Sequence, residues 1–112
     1  MWNKPTEKQL EKLPAFYSSE NTPIEEKIIY MHFFIGGCDW YACEYSPEEQ
    51  CFFGFAILNN DLQNAEWGYF SLQELCEVRV SFVEIDREVN WKPIQAKNIE
   101  KIAQAQGWLV KA

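Results

Sequence analysis

The chain has 112 residues, 47% of them apolar, and 10 basic against 17 acidic side chains give it a formal charge of −7. That length fits a single domain over residues 1–112, one that buries roughly two thirds of the surface its unfolded chain exposes. The acidic balance opposes non-specific attraction to phosphate backbones and anionic membranes, and the lysines are scattered, not gathered into a patch.

Thr6 opens the first element. Its hydroxyl can cap a helix, and Gln9, three residues on, can return the bond, which makes a capping box. Leu10 and Leu13 give a narrow apolar stripe, and Pro14 stops the helix. Phe16 and Tyr17 anchor the connection, and the polar run from Ser18 to Pro23 is loop. Ile28 to Ile35 reads as a strand with Ile29, Met31, Phe33 and Ile35 on one face. Its other face, Ile28, Tyr30, His32 and Phe34, is nearly as apolar, which predicts a central strand covered on both sides. Gly36-Gly37 predicts a hairpin, Asp39 to Tyr45 returns antiparallel, and Ser46 to Gln50 turns again around Pro47. Cys51 to Leu58 is the third strand, where Gly54 signals a bulge or a close approach by another group.

After a polar loop, Glu66 to Phe70 is a short fourth strand. Ser71 to Glu74 repeats the capping-box pattern, and Leu72, Leu75 and Cys76 supply the buried side of a short helix. Val78 to Val89 alternates, changes phase near Phe82-Val83, and is predicted as a fifth strand with a bulge or bend. Trp91 to Pro93 leaves the sheet. Asn98 to Gln106 is the last helix, with Ile99, Ile102, Ala103 and Gln106 on one face and Gly107 as its stop. Trp108, Leu109 and Val110 can then tuck back onto the core. The fold class is α+β: an antiparallel meander of four to five strands, with short helices near both termini and after the fourth strand.

The cysteines Cys38, Cys43, Cys51 and Cys76 lack the C-x-x-C pairs of a zinc site, and the single histidine is too few to complete one. They read as reduced, core-type thiols. The N-terminal run MWNKPTEKQLEKL has no apolar core of the signal-peptide kind, and Ile28 to Ile35 is too short to span a bilayer. A cytoplasmic location away from membranes is expected.

The stretch from Asp39 to Leu75 holds half of the protein's aromatic residues. Trp40, Tyr41, Tyr45, Trp67 and Tyr69 lie on neighbouring predicted strands. They can fill a core, stack unpaired bases or form an interface patch, and the acidic balance favours a protein partner over a nucleic acid. The expected binding face is Trp40, Tyr41, Glu44, Glu66 and Tyr69. The acidic surface serves solubility, or it imitates a nucleic acid before a basic groove on another protein.

A second chemistry is conceivable from the carboxylates. Glu44, Glu66, Glu84 and Asp86, if they converge, could hold Mg²⁺ or Mn²⁺ through oxygen ligands and drive phosphodiester cleavage. The competing reading makes them solvated residues of a half-exposed sheet. Glu74 is explained by its place in the capping box. His32 could act as a general base, but no nucleophile is placed beside it, so a hydrogen-bonded sheet histidine is the better reading.

Three motifs in order carry a likeness. Trp40-Tyr41-Ala42-x-Glu44, Phe52-Phe53-Gly54 and Glu66-x-Gly68-Tyr69-Phe70-Ser71-Leu72-x-Glu74-Leu75 resemble the family known as domain of unknown function 2958. Lys12-Leu13-Pro14-x-x-Tyr17 and Val83-Glu84-x-Asp86 are similar to it too, so the resemblance spans roughly residues 8 to 95. The chain departs from the family's acidic–arginine–aspartate run: it reads Glu84-Ile85-Asp86, with Arg87 one place late, so no role is carried over for that arginine. The resemblance implies a small intracellular bacterial protein, often carried on plasmids, phages or conjugative elements, and some members bear a single-stranded-DNA endonuclease label. The expectation is a non-enzymatic accessory factor that binds a protein and needs no cofactor. The alternative is a divalent-metal-dependent endonuclease acting on single-stranded DNA, the one setting in which nucleic acid is expected.

Overall fold

The computed structural model describes residues 1–108; the expected packing of Leu109 and Val110 lies outside them. Thr6 caps the one-turn helix α1 (Glu7–Leu10) through the expected box, its Oγ1 accepting from the Gln9 N–H at 3.2 Å while Gln9 Oε1 accepts from the Thr6 N–H at 2.9 Å. A 3-10 turn at Ile24–Glu26 leads into β1 (Ile28–Ile29) and β2 (Met31–Ile35). Then come β3 (Cys38–Ser46), β4 (Cys51–Ile57), β5 (Glu66–Ser71) and α2 (Leu72–Glu77). Four short strands follow: β6 (Arg79–Val80), β7 (Val83–Glu84), β8 (Asp86–Arg87) and β9 (Ile94–Gln95). A 3-10 turn at Ala96–Asn98 precedes α3 (Glu100–Gln106), which ends on Gly107 at φ +73°, a left-handed cap that glycine adopts without strain.

Five strands form an antiparallel sheet in the order β5-β4-β3-β2-β8. The fold is α+β, as expected. Cross-strand partners share a face, so the register sorts the side chains. One face buries Met31, Phe33, Ile35, Ala42, Tyr45 and Phe52 against Leu10, Leu13, Leu72, Leu75 and Ile85. The other buries Tyr41, Cys43, Phe55 and Ile57 against Ala96, Ile99 and Ile102, with Trp67 and Trp108 packed at its margin. The helices near the two ends of the chain thus lie on opposite sides of β3, the middle strand.

Three expectations change. Alternation predicts Ile29 beside Met31 and Phe33, yet it packs in the opposite core. The strand breaks at Tyr30, where β1 turns aside to pair with β9. The single fifth strand over Val78 to Val89 is instead a tight hairpin of β6 and β7 followed by β8, and β8 alone joins the sheet. The phase change marks this turn, where Ser81 takes φ +60° and Phe82 is 93% exposed. The cap of α2 is one-sided: the Glu74 N–H donates to Ser71 Oγ at 3.2 Å.

Candidate functional site

Gly54 sets the geometry of the site. A Cβ there would stand 1.9 Å from the Tyr41 carbonyl oxygen, so β3 crosses β4 closer than any other residue permits. Beside this crossing the β3–β4 register shifts between Ala42 and Glu44, leaving Cys43 as the extra residue of a bulge. Strict alternation would put Glu44 on the face of Ala42. The bulge moves it to the other face, opposite Phe53, which itself pairs with Tyr69.

Glu44 is 4% exposed, and its carboxylate is fully used. Oε1 accepts the Tyr17 N–H at 3.1 Å, and Oε2 accepts the Ser19 N–H at 3.1 Å together with the Ser19 hydroxyl. Lys27, 8% exposed, donates to Ser19 O and to Ser19 Oγ, the latter at 3.1 Å. Ser19 therefore bridges two buried charges of opposite sign, neither of which would be tolerated without such partners. The consequence is local: the loop after Pro14 is stapled to the sheet, and Tyr17, at φ +69°, points outward.

An aromatic surface follows from that staple. Tyr69 on β5 is 57% exposed and Tyr17 is 67% exposed. The Phe16 ring meets Tyr69 edge-on at 5.2 Å and Tyr17 at 6.1 Å. Phe53 lies 5.2 Å from Tyr69 and 6.1 Å from Trp67, whose Nε1 donates to Gln106 Oε1 at 3.0 Å. Tyr17, Glu20, Lys27, Glu44, Phe53 and Tyr69 line an open cleft of about 160 Å³. Interaction with the Tyr17 hydroxyl, then partial burial and the Glu44 and Glu49 carboxylates, pushes the Tyr69 hydroxyl above the ordinary tyrosine value of 10, so this phenol stays neutral near pH 7.

A second polar cluster lies nearer β8. His32 Nε2 is 2.7 Å from Asp39 Oδ1 and His32 Nδ1 is 2.8 Å from Glu88 Oε1, while Lys101 Nζ donates to Asp39 Oδ2 at 2.6 Å. Both imidazole contacts are hydrogen bonds together only when both ring nitrogens carry protons. Burial pushes the Asp39 carboxyl up, but hydrogen bonds from His32 and Lys101 outweigh it and hold the group below its ordinary 3.8. The ring is stacked on Tyr41 at 4.5 Å, and burial, reinforced by Asp39 and Glu88, pushes the Tyr41 hydroxyl up. His32 is thus fixed on every side as a sheet residue.

The expected binding residues do not share one face. Trp40 and Glu66 each pair with Ala56 and lie on the α1 side, Trp40 half-buried and Glu66 exposed. Tyr41, Glu44 and Tyr69 lie on the α3 side, where Tyr41 and Glu44 are buried and only Tyr69 is open. The structure brings Glu44 and Tyr69 together and separates both from Trp40 and Glu66. Phe16, Tyr17 and Phe53 complete the surface. The sequence predicts the first two only as an anchor for a connection, and their meeting with β5 depends on the Glu44 staple, which no local pattern announces.

The alternative carboxylate site is also dispersed. Glu66 and Asp86 sit on opposite outer strands of the sheet, about 19 Å apart by four strand spacings of about 4.8 Å. Glu44 is occupied by the loop, Glu84 accepts from the Met1 amino group at 2.5 Å, and Asp86 accepts from Asn3 Nδ2 at 2.8 Å. Among the described residues no three His, Cys, Asp or Glu side chains are grouped to hold a metal ion. All four cysteines are free thiols, and burial together with Glu44 pushes the Cys43 thiol up to about 12. Among the described residues no helix is long and apolar enough to cross a membrane.

A family model described as "Protein of unknown function (DUF2958)" matches residues 6–110. No curated protein and no solved structure matches the chain.

Proposed function

The chain belongs to the DUF2958 family, and from that premise we propose that it is a non-enzymatic, protein-binding accessory factor of a bacterial cytoplasm or of a mobile element. The observation that carries the reading is the aromatic surface formed by exposed Tyr17 and Tyr69 over half-buried Phe16, Phe53 and Trp67. Tyrosine and tryptophan supply large contact areas at low entropic cost and dominate interface energetics. Their exposure costs a lone domain solubility, so a partner that covers them accounts for their placement. Glu20 lines the cleft and Glu49 lies close enough to act on Tyr69, and carboxylates so placed steer a partner with a basic face.

The test is quantitative capture from the native host with three baits: the wild type, Tyr17→Ser/Tyr69→Ser, and a control, Phe82→Ser, at the exposed hairpin tip. One protein retained by the wild type and the control, resistant to nuclease and lost from the double variant, supports the reading. Equal capture by all three baits removes it.

A further inference from the structure

We propose that β5 accepts a sixth strand, an extended basic segment of the protein partner that pairs along its outer edge. This rests on the protein-binding reading above and specifies the partner's form and charge.

The two edges of the sheet are treated differently. At the β8 edge the N-terminal segment closes the sheet: Trp2 bridges Asp86 in parallel, and the Trp2 N–H donates to Ile85 O at 2.8 Å. At the other edge β5 runs six residues, Glu66–Ser71, and keeps an unbroken register with β4 from Ala56↔Glu66 to Cys51↔Ser71. An outer strand turns half of its N–H and C=O groups outward, and proteins blunt such edges with lysine, proline, a bulge or a covering segment. Glu66-Trp67-Gly68-Tyr69-Phe70-Ser71 has no lysine or proline. Among the described residues no strand and no backbone hydrogen bond covers its outer side. At its centre Gly68 carries no side chain, and a Cβ there would meet nothing within 4 Å, so the face of the strand is open at that position.

Charge selects the occupant. On the Tyr69 side, Glu49 lies close enough to act on Tyr69, and Glu49 and Glu74 act on Cys51, the partner of Ser71 at the strand's end; Glu66 adds an exposed carboxylate on the strand's other face. Glu20 lines the cleft, and the one cation there among the described residues, Lys27, is buried and engaged with Ser19. A second copy would bring this acidic rim against its own image at −7 per chain. An incoming strand with arginine or lysine at alternate positions meets carboxylates instead, and its cationic heads can reach the open faces of Tyr69 and Tyr17. Six residues of pairing span about 20 Å.

The test is an amide-resolved NMR titration of the labelled protein with synthetic peptides of about eight residues, enough to span β5. The probes are an alternating Arg/Val peptide, its Glu/Val counterpart, and the Arg/Val peptide methylated on alternate backbone nitrogens. The expected result is perturbation of amides 66–71 by the Arg/Val peptide, slowed exchange of the outer ones, and at least about tenfold weaker binding by each of the other two peptides. Gly68→Lys, which places a lysine on the edge without a clash, weakens the Arg/Val peptide by a similar factor while the remaining spectrum is unchanged. Equal binding of the methylated peptide overturns strand pairing, and equal binding of the Glu/Val peptide overturns the charge assignment. Absence of binding at about 1 mM, perturbation centred on another element, or a concentration-dependent dimer joined through β5 overturns the proposal. If it fails while capture still depends on Tyr17 and Tyr69, strand pairing alone is lost; if that dependence fails too, the surface reading goes with it.

Discussion

Glu44→Gln is the perturbation that reaches furthest into the site. The carboxylate accepts from three donors, the Tyr17 and Ser19 N–H groups and the Ser19 hydroxyl. A carboxamide keeps one oxygen and turns an NH₂ group toward donors that need an acceptor. Buried Lys27 also loses the negative charge that Ser19 relays to it. One charge-assisted hydrogen bond lost at a buried position costs about 2 kcal/mol, and for a domain of this length that lowers Tm by about 8–10 °C. The assay is thermal unfolding by circular dichroism, with native-state amide exchange at Tyr17 and Ser19 alongside it. Both amides exchange faster in the variant, because the loop comes free before the sheet does. A Tm within about 2 °C of wild type, with both amides as slow as before, would show that the loop is held by something else and that Tyr17 owes its position to another contact.

Other outcomes follow from the same geometry. Gly54→Ala drives a methyl group into the Tyr41 carbonyl at 1.9 Å; the bulge must open, and chemical denaturation should record a loss above about 3 kcal/mol. The Asp39 carboxyl is held below 3.8, so its contribution is present above that pH and is lost as pH falls through its lower folded value. Asp39→Asn is accordingly less stable than wild type near neutral pH, and the gap narrows in denaturant titrations as pH falls below 3.8; a gap independent of pH contradicts the assignment. The Cys43 thiol, pushed up to about 12 and buried, resists alkylation in the native protein at neutral pH and labels only in denaturant, as mass spectrometry of the Cys43 peptide should record.

The strands were legible because β2, β4 and β5 obey a two-residue period and sit between turn residues that stop them. The site was legible only in part, for a reason of parity. Alternation from Tyr41 onward puts Glu44 with Ala42, and one inserted residue, Cys43, reverses every later side chain on β3. Nothing in Ala42-Cys43-Glu44 announces the insertion; its signal is Gly54 on the partner strand, which reads as a close approach without saying what approaches. The break after Ile29 and the turn at Ser81-Phe82 escaped because alternation survives a short interruption in sequence but not in space. The staple of Glu44 to Ser19 joins residues 25 apart, and that separation hides it from any local pattern.

On the proposed function, the surface around Tyr17 and the β5 strand receives a protein. The most direct measurement of that binding is the amide hydrogen-exchange footprint of the captured complex against the free protein. Added protection is expected over residues 66–71 and 16–19, with residues 79–87 unchanged. Protection confined to the Val80-Phe82-Val83 hairpin, or to the His32–Asp39 side of the sheet, would contradict it.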